Sequence, residues 1–186
     1  MAVGPVLVAL ALVAISLLLW IVILYNRLVG LENAIDRAWA NVDVILKQRN
    51  DEVPNLVATV KGYATHERAL FEAVAHARAV VASEAAATRE RATASADLSA
   101  GVARLLAVGE AYPDLKANES FLALQKRLSG LEDVLADRRE FYNQSVVLFN
   151  TRIREIPDTW LARRMRLQPK AYFKADAGDR AVPDLS

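Results

Sequence analysis

An uninterrupted apolar run near the N-terminus constrains this chain more than any other feature. The run begins at Val6 and ends at Leu24, and no charged residue occurs before Arg27. A helix rises about 1.5 Å per residue, so the run would be about 29 Å long, close to the hydrocarbon thickness of a bilayer. The sequence therefore predicts a transmembrane helix, with residues 1–26 as a membrane anchor.

The flanks of the run distinguish an anchor from a cleaved signal peptide. A signal peptide needs a basic segment before the apolar run and small residues at its cleavage site. The residues before Val6 include no Lys or Arg, and the end of the run lacks a small pair, so we expect an uncleaved anchor. Because Arg27 and Arg37 follow the run, we expect an external N-terminus and a cytoplasmic domain.

The rest of the chain is typical of an all-α domain. Only seven Gly and six Pro occur among 186 residues, which argues against a turn-rich β domain. Apolar residues recur three or four positions apart, the period of a helix that buries one face. The first such stripe consists of Leu28, Leu31, Ile35, Ala38, Val42 and Ile45. Residues 27–157 are predicted to form an antiparallel, up-and-down bundle of about four helices.

Two later apolar stripes define further expected helices of this bundle. A second apolar stripe runs from Val53 to Val81, and the longest one runs from Phe121 to Ile153 and stops at Pro157. Pro54 lacks a backbone donor and its ring crowds the carbonyl of residue 50, so we expect a tight turn there in preference to a kinked continuous helix.

The Ala- and Ser-rich residues 83–96 have no large apolar side chain. They indicate either the solvent-facing end of a long helix or a mobile connection. The next short helix is expected at about residues 98–110.

The C-terminal residues 158–186 are predicted to form a basic amphipathic segment followed by a flexible tail. Basic residues alternate there with aromatic ones, which would favour anionic headgroups by about 1 kcal/mol per charge near the surface. A flexible solubilising tail accounts for the same composition equally well. The candidates for contact with the membrane surface are Trp160, Arg163, Arg164 and Arg166.

Three stretches of the sequence together resemble the LemA family of bacterial and archaeal membrane proteins. The first contains Tyr25-Asn26-Arg27, Ala38-Trp39, Val42-Asp43, Leu46-Lys47-Gln48-Arg49, Val53-Pro54-Asn55-Leu56-Val57 and Val60-Lys61-Gly62-Tyr63. The second is Ala111-Tyr112-Pro113-Asp114-Leu115 with Phe121-Leu122-Ala123-Leu124-Gln125, and the third is Phe141-Tyr142-Asn143 with Phe149-Asn150-Thr151. The resemblance implies an anchored bundle of four helices in the bacterial plasma membrane. It implies no nameable enzymatic activity, although relatives are associated with forming magnetosome membranes.

The residues give little support to catalysis or to metal binding. His66-Glu67 lacks the second His, four positions later, that a zinc protease motif requires, because position 70 is Leu. Adjacent carboxylates such as Glu132-Asp133 diverge by about 100° on a helix and do not form an acid–base pair. We expect no enzyme, no metal and no cofactor. A net charge of +1 gives no reason to expect nucleic acid as a partner.

Ten residues, most of them polar or aromatic, are candidates for a structural role or for contact with a partner. They are Trp39, Asp43, Arg49, Pro54, Asn55, Tyr63, Gln125, Glu132, Tyr142 and Asn143. One hypothesis is a polar network that fixes the register between helices, because unpaired burial would cost a few kcal/mol. The other is a groove that binds a partner helix or peptide. Replacing Glu132 by Leu distinguishes the two hypotheses. A network role predicts changed folding, whereas a groove role predicts retained folding with loss of the partner.

These features favour a scaffold or adaptor at the membrane surface. Its expected partners are the lipid bilayer and either further copies of itself or other membrane proteins, with membrane organisation or remodelling as the outcome. The alternative is a regulatory subunit that senses a ligand or partner, which would require a concave pocket with converging polar groups.

Overall fold

The computed structural model describes residues 3–64, 66–83 and 85–173. These residues form six helices and include no strand, which confirms the all-α prediction. The helices are α1 (Val3–Lys61), α2 (Arg68–Ala82), α3 (Thr88–Glu110), α4 (Pro113–Lys116), α5 (Glu119–Arg152) and α6 (Asp158–Arg164). The segment 174–186, where the flexible tail was expected, lies outside the described residues.

The chain divides into two compact units. Among the described residues, the anchor unit comprises residues 3–37 and 144–170, and the bundle unit comprises residues 38–143 and 171–173. Both α1 and α5 contribute residues to each unit, because each helix is continuous across the boundary.

Side-chain contacts fix the helix directions in the bundle unit. Asp43 of α1 pairs with Arg91 of α3, and Arg49 contacts Ser95, so these two helices run parallel. Glu132 of α5 reaches Arg49, so α5 also packs against this part of α1.

Two further contacts complete the topology. The ring of Tyr142, ten residues after Glu132, contacts that of Trp39, ten residues before Arg49, so α5 runs antiparallel to α1. On α2, Val74 faces Gly101 whereas Val81 accepts a hydrogen bond from Arg91, so α2 runs antiparallel to α3. The four long helices alternate in direction, and the predicted up-and-down bundle is confirmed.

The predicted stripe on α1 faces the core over most of its length. Leu28, Ile35, Ala38 and Val42 are buried, while Leu31 is half-buried. On α5, the buried residues Leu124, Leu128, Leu135, Tyr142, Val146 and Phe149 continue the predicted pattern. The helical period of the apolar residues therefore specifies which faces meet.

The tight turn predicted at Pro54 is wrong, because α1 continues through Pro54 to Lys61. A proline inside a helix leaves the carbonyl four residues earlier without its usual N–H partner. Here that carbonyl belongs to Asn50, and Arg78 of α2 donates its Nε–H to it at 3.0 Å. A side chain from a neighbouring helix thus replaces the lost backbone bond, and the break falls instead between Lys61 and Arg68.

Neither alternative for the Ala- and Ser-rich stretch describes residues 88–96. These residues form the first turns of α3, ten residues before the predicted start, and Ala92, Ala94 and Ser95 are buried. Small side chains bury little apolar area, but they let helices approach closely. A Cβ on Gly101 would lie 2.6 Å from Val74 Cγ2, which shows how close α2 is to α3.

In the anchor unit, the part of α1 from Val6 to Leu19 exposes its large apolar residues on all sides. Side chains from Val6 to Leu19 are more than half exposed wherever they are large and apolar, and Trp20 is 46% exposed. Among the described helices, α1 alone is long and apolar enough to cross a membrane. Further along, the Lys170 ammonium pairs with Glu32 at 2.7 Å.

Candidate functional site

Arg49 is the centre of a polar cluster inside the bundle unit. Its side chain is 0% exposed, and its guanidinium donates to Ser99 Oγ at 2.7 Å, Glu132 Oε1 at 2.8 Å and Ser95 Oγ at 2.7 Å. A buried cation without such partners would cost several kcal/mol. The cluster therefore joins α1, α3 and α5 through one guanidinium.

The partners of Arg49 also bond to one another. A serine hydroxyl has a single hydrogen, and that of Ser99 is better placed for Glu132 Oε2 at 2.8 Å than for the Ser95 carbonyl at 3.1 Å. Arg139 of α5 donates a second charged hydrogen bond to Ser95 Oγ at 2.7 Å. In this arrangement the Glu132 carboxylate neutralises the Arg49 charge, and the hydrogen bonds fix the positions of α1, α3 and α5 relative to one another.

A second cluster is built from three aromatic rings of the bundle unit. Trp39, Tyr142 and Phe173 lie with their ring centroids 5.5, 5.8 and 6.5 Å apart. Tyr142 donates its hydroxyl hydrogen to the Ala171 carbonyl at 2.9 Å. Asn143 donates to the Phe173 carbonyl at 3.0 Å and accepts from the Phe173 N–H at 2.8 Å. Residues 171–173, which belong to no helix, are thereby held against α5.

Two arginines cover this aromatic cluster. The guanidinium carbon of Arg91 lies 5.4 Å from the Trp39 ring centroid, and that of Arg139 lies 4.9 Å from the Phe173 ring. These are cation–π distances. Asp43 forms an ion pair with Arg91 and so orients it. The predicted residues Trp39, Asp43, Tyr142 and Asn143 thus belong to one site that the structure assembles.

A groove of about 590 Å³ opens beside α1 and α5 in the bundle unit. It is lined by Gln48, Asp51, Glu52, Asn55, Arg127, Gly130 and Leu131. Arg127 spans it to Glu52 at 3.4 Å. We call it the Asn55 groove, and among the predicted site residues only Asn55 lines it.

The remaining predicted residues of the bundle lie outside both clusters. Pro54 and Gln125 are half-buried, and Tyr63 is 41% exposed just beyond the end of α1. No hydrogen bond within the described ranges joins Tyr63 or Gln125 to Arg49. In the same ranges, no group of three or more His, Cys, Asp or Glu side chains is arranged to hold a metal ion.

The anchor unit contains an apolar groove of about 480 Å³. One wall is the stretch of α1 from Leu17 to Leu24, and the other is the segment from Ile156 to Arg163. The predicted residues Trp160 and Arg163 line this groove, while Arg164 and Arg166 are exposed nearby in the chain. Arg166 has a φ of 58°, which ends α6 because Leu167 N–H then bonds the Ala162 carbonyl at 3.0 Å.

The LemA family model matches residues 38–186 of this sequence, about four-fifths of the chain. The chain belongs to the LemA family. It is similar to the magnetosome protein MamQ of Magnetospirillum gryphiswaldense, with 23% identity over 96% of this chain and 76% of that protein. It is also 32% identical to the magnetosome proteins MamQ 1 and MamQ 2 of Paramagnetospirillum magneticum, over 42% of this chain but only 29% of each relative.

The LemA match includes both clusters of the bundle unit. It begins at Ala38, immediately before Trp39, and extends past Phe173. Similarity to MamQ of Magnetospirillum gryphiswaldense over 96% of the chain also includes most of the apolar run. This LemA protein is therefore a membrane-associated helical protein.

Several residues of these sites in the LemA chain were not predicted. Ser95, Ser99, Arg91 and Arg139 carry no local signal, because isolated serines and arginines are common on exposed helix surfaces. Asn150 does carry a sequence signal, because it lies seven residues after Asn143, on the same face of α5. Within the anchor unit, Asn150 holds the backbone of Lys170 through two hydrogen bonds, each 2.9 Å long.

Proposed function

We propose that this LemA protein is a single-pass membrane protein whose cytoplasmic bundle self-associates and serves as a scaffold at the membrane surface. On this proposal it acts by contact and not by catalysis. The observation that carries it is the exposure of the apolar run, since none of the 18-residue window that could cross a membrane is buried. Apolar surface of that extent needs lipid to cover it.

The energetics of the run support insertion. Leu, Ile and Val near the centre of a transmembrane helix each contribute about −0.3 to −0.6 kcal/mol. Fourteen of the nineteen residues in the run are of these types, which gives roughly −4 to −8 kcal/mol. Trp20 and Tyr25 are both close to half exposed near its end, where interfacial aromatic residues are enriched.

The surface around the Asn55 groove supports self-association. Val44, 54% exposed, shares a helix face with Gln48 and Asn55. On α5, Val134 is 38% exposed and shares a face with Arg127 and Leu131. The polar groove therefore has exposed apolar side chains on the same two helix faces, the composition of an interface with an apolar centre and a polar rim.

The similarity to magnetosome proteins is consistent with membrane organisation as the role. The two shorter alignments with MamQ proteins cover less than a third of those relatives. We therefore propose a membrane-shaping scaffold at the bacterial plasma membrane. The proposal does not extend to magnetosomes.

Thiol labelling tests the proposed topology, because the natural sequence has no Cys. Gly4→Cys and Ala85→Cys place single thiols at exposed positions on opposite sides of the run. We expect an impermeant maleimide to label Gly4→Cys in intact cells and Ala85→Cys only after permeabilisation. Labelling of Ala85→Cys in intact cells would show that the topology is the opposite of the one proposed. Release of the protein by alkaline carbonate would refute the anchor.

Site-specific photocrosslinking tests self-association. Two differently tagged copies are co-expressed, with a benzophenone amino acid at Val134 of one copy. We expect an adduct of twice the monomer mass that carries both tags. The matched control places the same group at Ala103, an exposed position on α3, and should give none. Equal yields from the two positions would contradict the proposed face.

The second candidate is a regulatory subunit that senses a partner, and the Asn55 groove favours it. Charged and amide groups from α1 and α5 converge on a concave surface there, as binding sites require. The same experiment separates the two functions. An adduct from Val134 to one different protein, without any doubly tagged product, would support this second function and exclude self-association through this face.

A further inference from the structure

The apolar groove of the anchor unit lies at a defined depth if α1 spans the bilayer. Its α1 wall runs from Leu17 to Leu24, the last two turns of the apolar run. That wall is about 10 Å long, whereas half of a bilayer's hydrocarbon core is about 15 Å thick. The groove therefore opens inside the leaflet next to the bundle. This step rests on the proposed transmembrane anchor.

The opposite wall has the side chains of a membrane-embedded surface. Ile156 is 88% exposed and Trp160 is 70% exposed, although both are large and largely apolar. Single exposed apolar residues are ordinary, but these two flank one apolar groove together with Pro157. Trp is enriched at the boundary between headgroups and acyl chains. Lipid is thus the environment that accommodates this wall.

Arg163 gives the groove a cation at one side. It is exposed, it lines the groove, and no carboxylate that the structure describes forms an ion pair with it. Arg27 lies on the same α1 face as the groove residues Trp20 and Leu24, one turn beyond the apolar run. Guanidinium groups bind phosphate oxygens through paired hydrogen bonds.

We propose that this groove binds one anionic phospholipid of the bundle-side leaflet, with an acyl chain along Leu17, Trp20 and Leu24 and the phosphate against Arg163. A volume of about 480 Å³ lies within the range of small-molecule sites. Within a bilayer, acyl chains gain little from leaving other acyl chains. Selectivity between lipids therefore comes from the headgroup charge, and the acyl chain only has to fit the groove.

Native mass spectrometry of the full-length protein tests this site. The detergent-solubilised protein is offered phosphatidylglycerol and phosphatidylcholine with identical acyl chains in equal amounts. We expect one retained lipid, with phosphatidylglycerol favoured about fivefold, equivalent to ~1 kcal/mol for one arginine near the headgroups. Arg163→Gln should abolish this preference. The matched control Arg164→Gln changes a neighbouring exposed arginine outside the groove and should keep it.

A second variant addresses the groove itself. Thr159→Trp fills the space beside Trp160 and should reduce retention of both lipids at least fivefold, with helicity unchanged by circular dichroism. Equal retention of the two lipids by the natural protein, equal effects of the two arginine variants, or occupation by detergent alone would each overturn the proposal. A dimer that buries the groove and releases lipid would do so too.

The anchor is tested separately by carbonate extraction. If the protein stays in the carbonate-washed membrane while selective retention fails, only the lipid site is refuted. If carbonate releases the protein, the transmembrane anchor fails first.

Discussion

Arg49 and Glu132, 83 residues apart in sequence, meet at 2.8 Å inside the bundle, although Arg49 is fully buried and Glu132 is 29% exposed. Charge pairs of this kind contribute little net stability when compared with a well-packed apolar pair. Removing Glu132 is different, because the fully buried Arg49 charge that remains has no water to solvate it. The pair therefore makes the fold sensitive to substitution of Glu132.

Glu132→Leu should destabilise the protein by about 2 to 4 kcal/mol, because it leaves the Arg49 charge buried beside neutral serines. The measurement is denaturant unfolding of the detergent-solubilised protein followed by circular dichroism. Asp133→Leu, at the exposed adjacent position, is the matched control and should stay within about 0.5 kcal/mol. If Glu132→Leu were as stable as Asp133→Leu but no longer gave the crosslinked adduct from Val134, a partner-binding role for Glu132 would be favoured.

The double variant Arg49→Met with Glu132→Leu should cost less than the two single substitutions added together. Residues of one hydrogen-bond network show coupling of about 0.5 to 3 kcal/mol. The same unfolding assay gives all the values needed. Strict additivity would show that the two charges do not depend on each other.

Pro54→Ala should couple to Arg78→Gln. Alanine restores the N–H that can bond the Asn50 carbonyl, so the Arg78 hydrogen bond at 3.0 Å becomes dispensable. We expect Arg78→Gln to cost about 1 kcal/mol in the natural sequence and less than half of that in the Pro54→Ala background. Thermal unfolding of the four proteins measures the coupling. An undiminished cost would mean that Arg78 does not support the proline.

Asn143→Ala should release the non-helical residues 171–173, because both hydrogen bonds to the Phe173 backbone are lost. Two net hydrogen bonds correspond to roughly 1 to 3 kcal/mol. Hydrogen exchange followed by mass spectrometry should show at least about fivefold faster exchange in peptides that contain Phe173. Asn41→Ala, at an exposed position on α1, is the control. Unchanged exchange in Asn143→Ala would show that other contacts hold this segment.

Gly109→Ala should be destabilising, because the added Cβ would lie 2.2 Å from Phe121 Cζ in a buried position. Overpacking of this type costs about 1 to 3 kcal/mol. Gly130→Ala is the control, since nothing lies within 4 Å of the added Cβ. It should stabilise α5 by about 0.5 to 1 kcal/mol. Thermal unfolding should move in opposite directions for the two variants.

Those parts of the fold that depend on local periodicity could be predicted from the sequence. The α5 helix, Glu119–Arg152, matches the expected stripe because its apolar residues repeat at the helical period without a proline. The apolar run likewise specifies its own helix. These signals need no knowledge of the rest of the chain.

The parts that could not be predicted depend on distant residues. The carbonyl that Pro54 leaves without its backbone partner accepts instead from Arg78, which is 24 positions from Pro54 and indistinguishable in sequence from a solvated arginine. In the first turns of α3, Ser95 accepts a hydrogen bond from Arg49, and the small residues Ala92 and Ala94 are buried. Propensity and period alone contain neither interaction.

The candidate sites divide in the same way. Residues on apolar seams, such as Arg49 and Glu132, could be selected because a polar side chain there needs a partner. The identity of each partner could not be predicted, since Ser95 comes from a stretch that was expected to be exposed or mobile, and Ser99 comes from a predicted short helix in which nothing marked it as a partner. Phe173 was also missed as the third ring beside Trp39 and Tyr142.

That third ring sets the shortest chain that can complete the bundle interior. Phe173 is 1% exposed and lies twenty-one residues beyond the last residue of α5. A polypeptide ending at Pro157 would retain all four long helices and still leave Trp39 and Tyr142 uncovered. C-terminal deletions and internal tags should therefore spare everything up to Phe173, and the first damage from a longer deletion should appear as a change in Trp39 fluorescence.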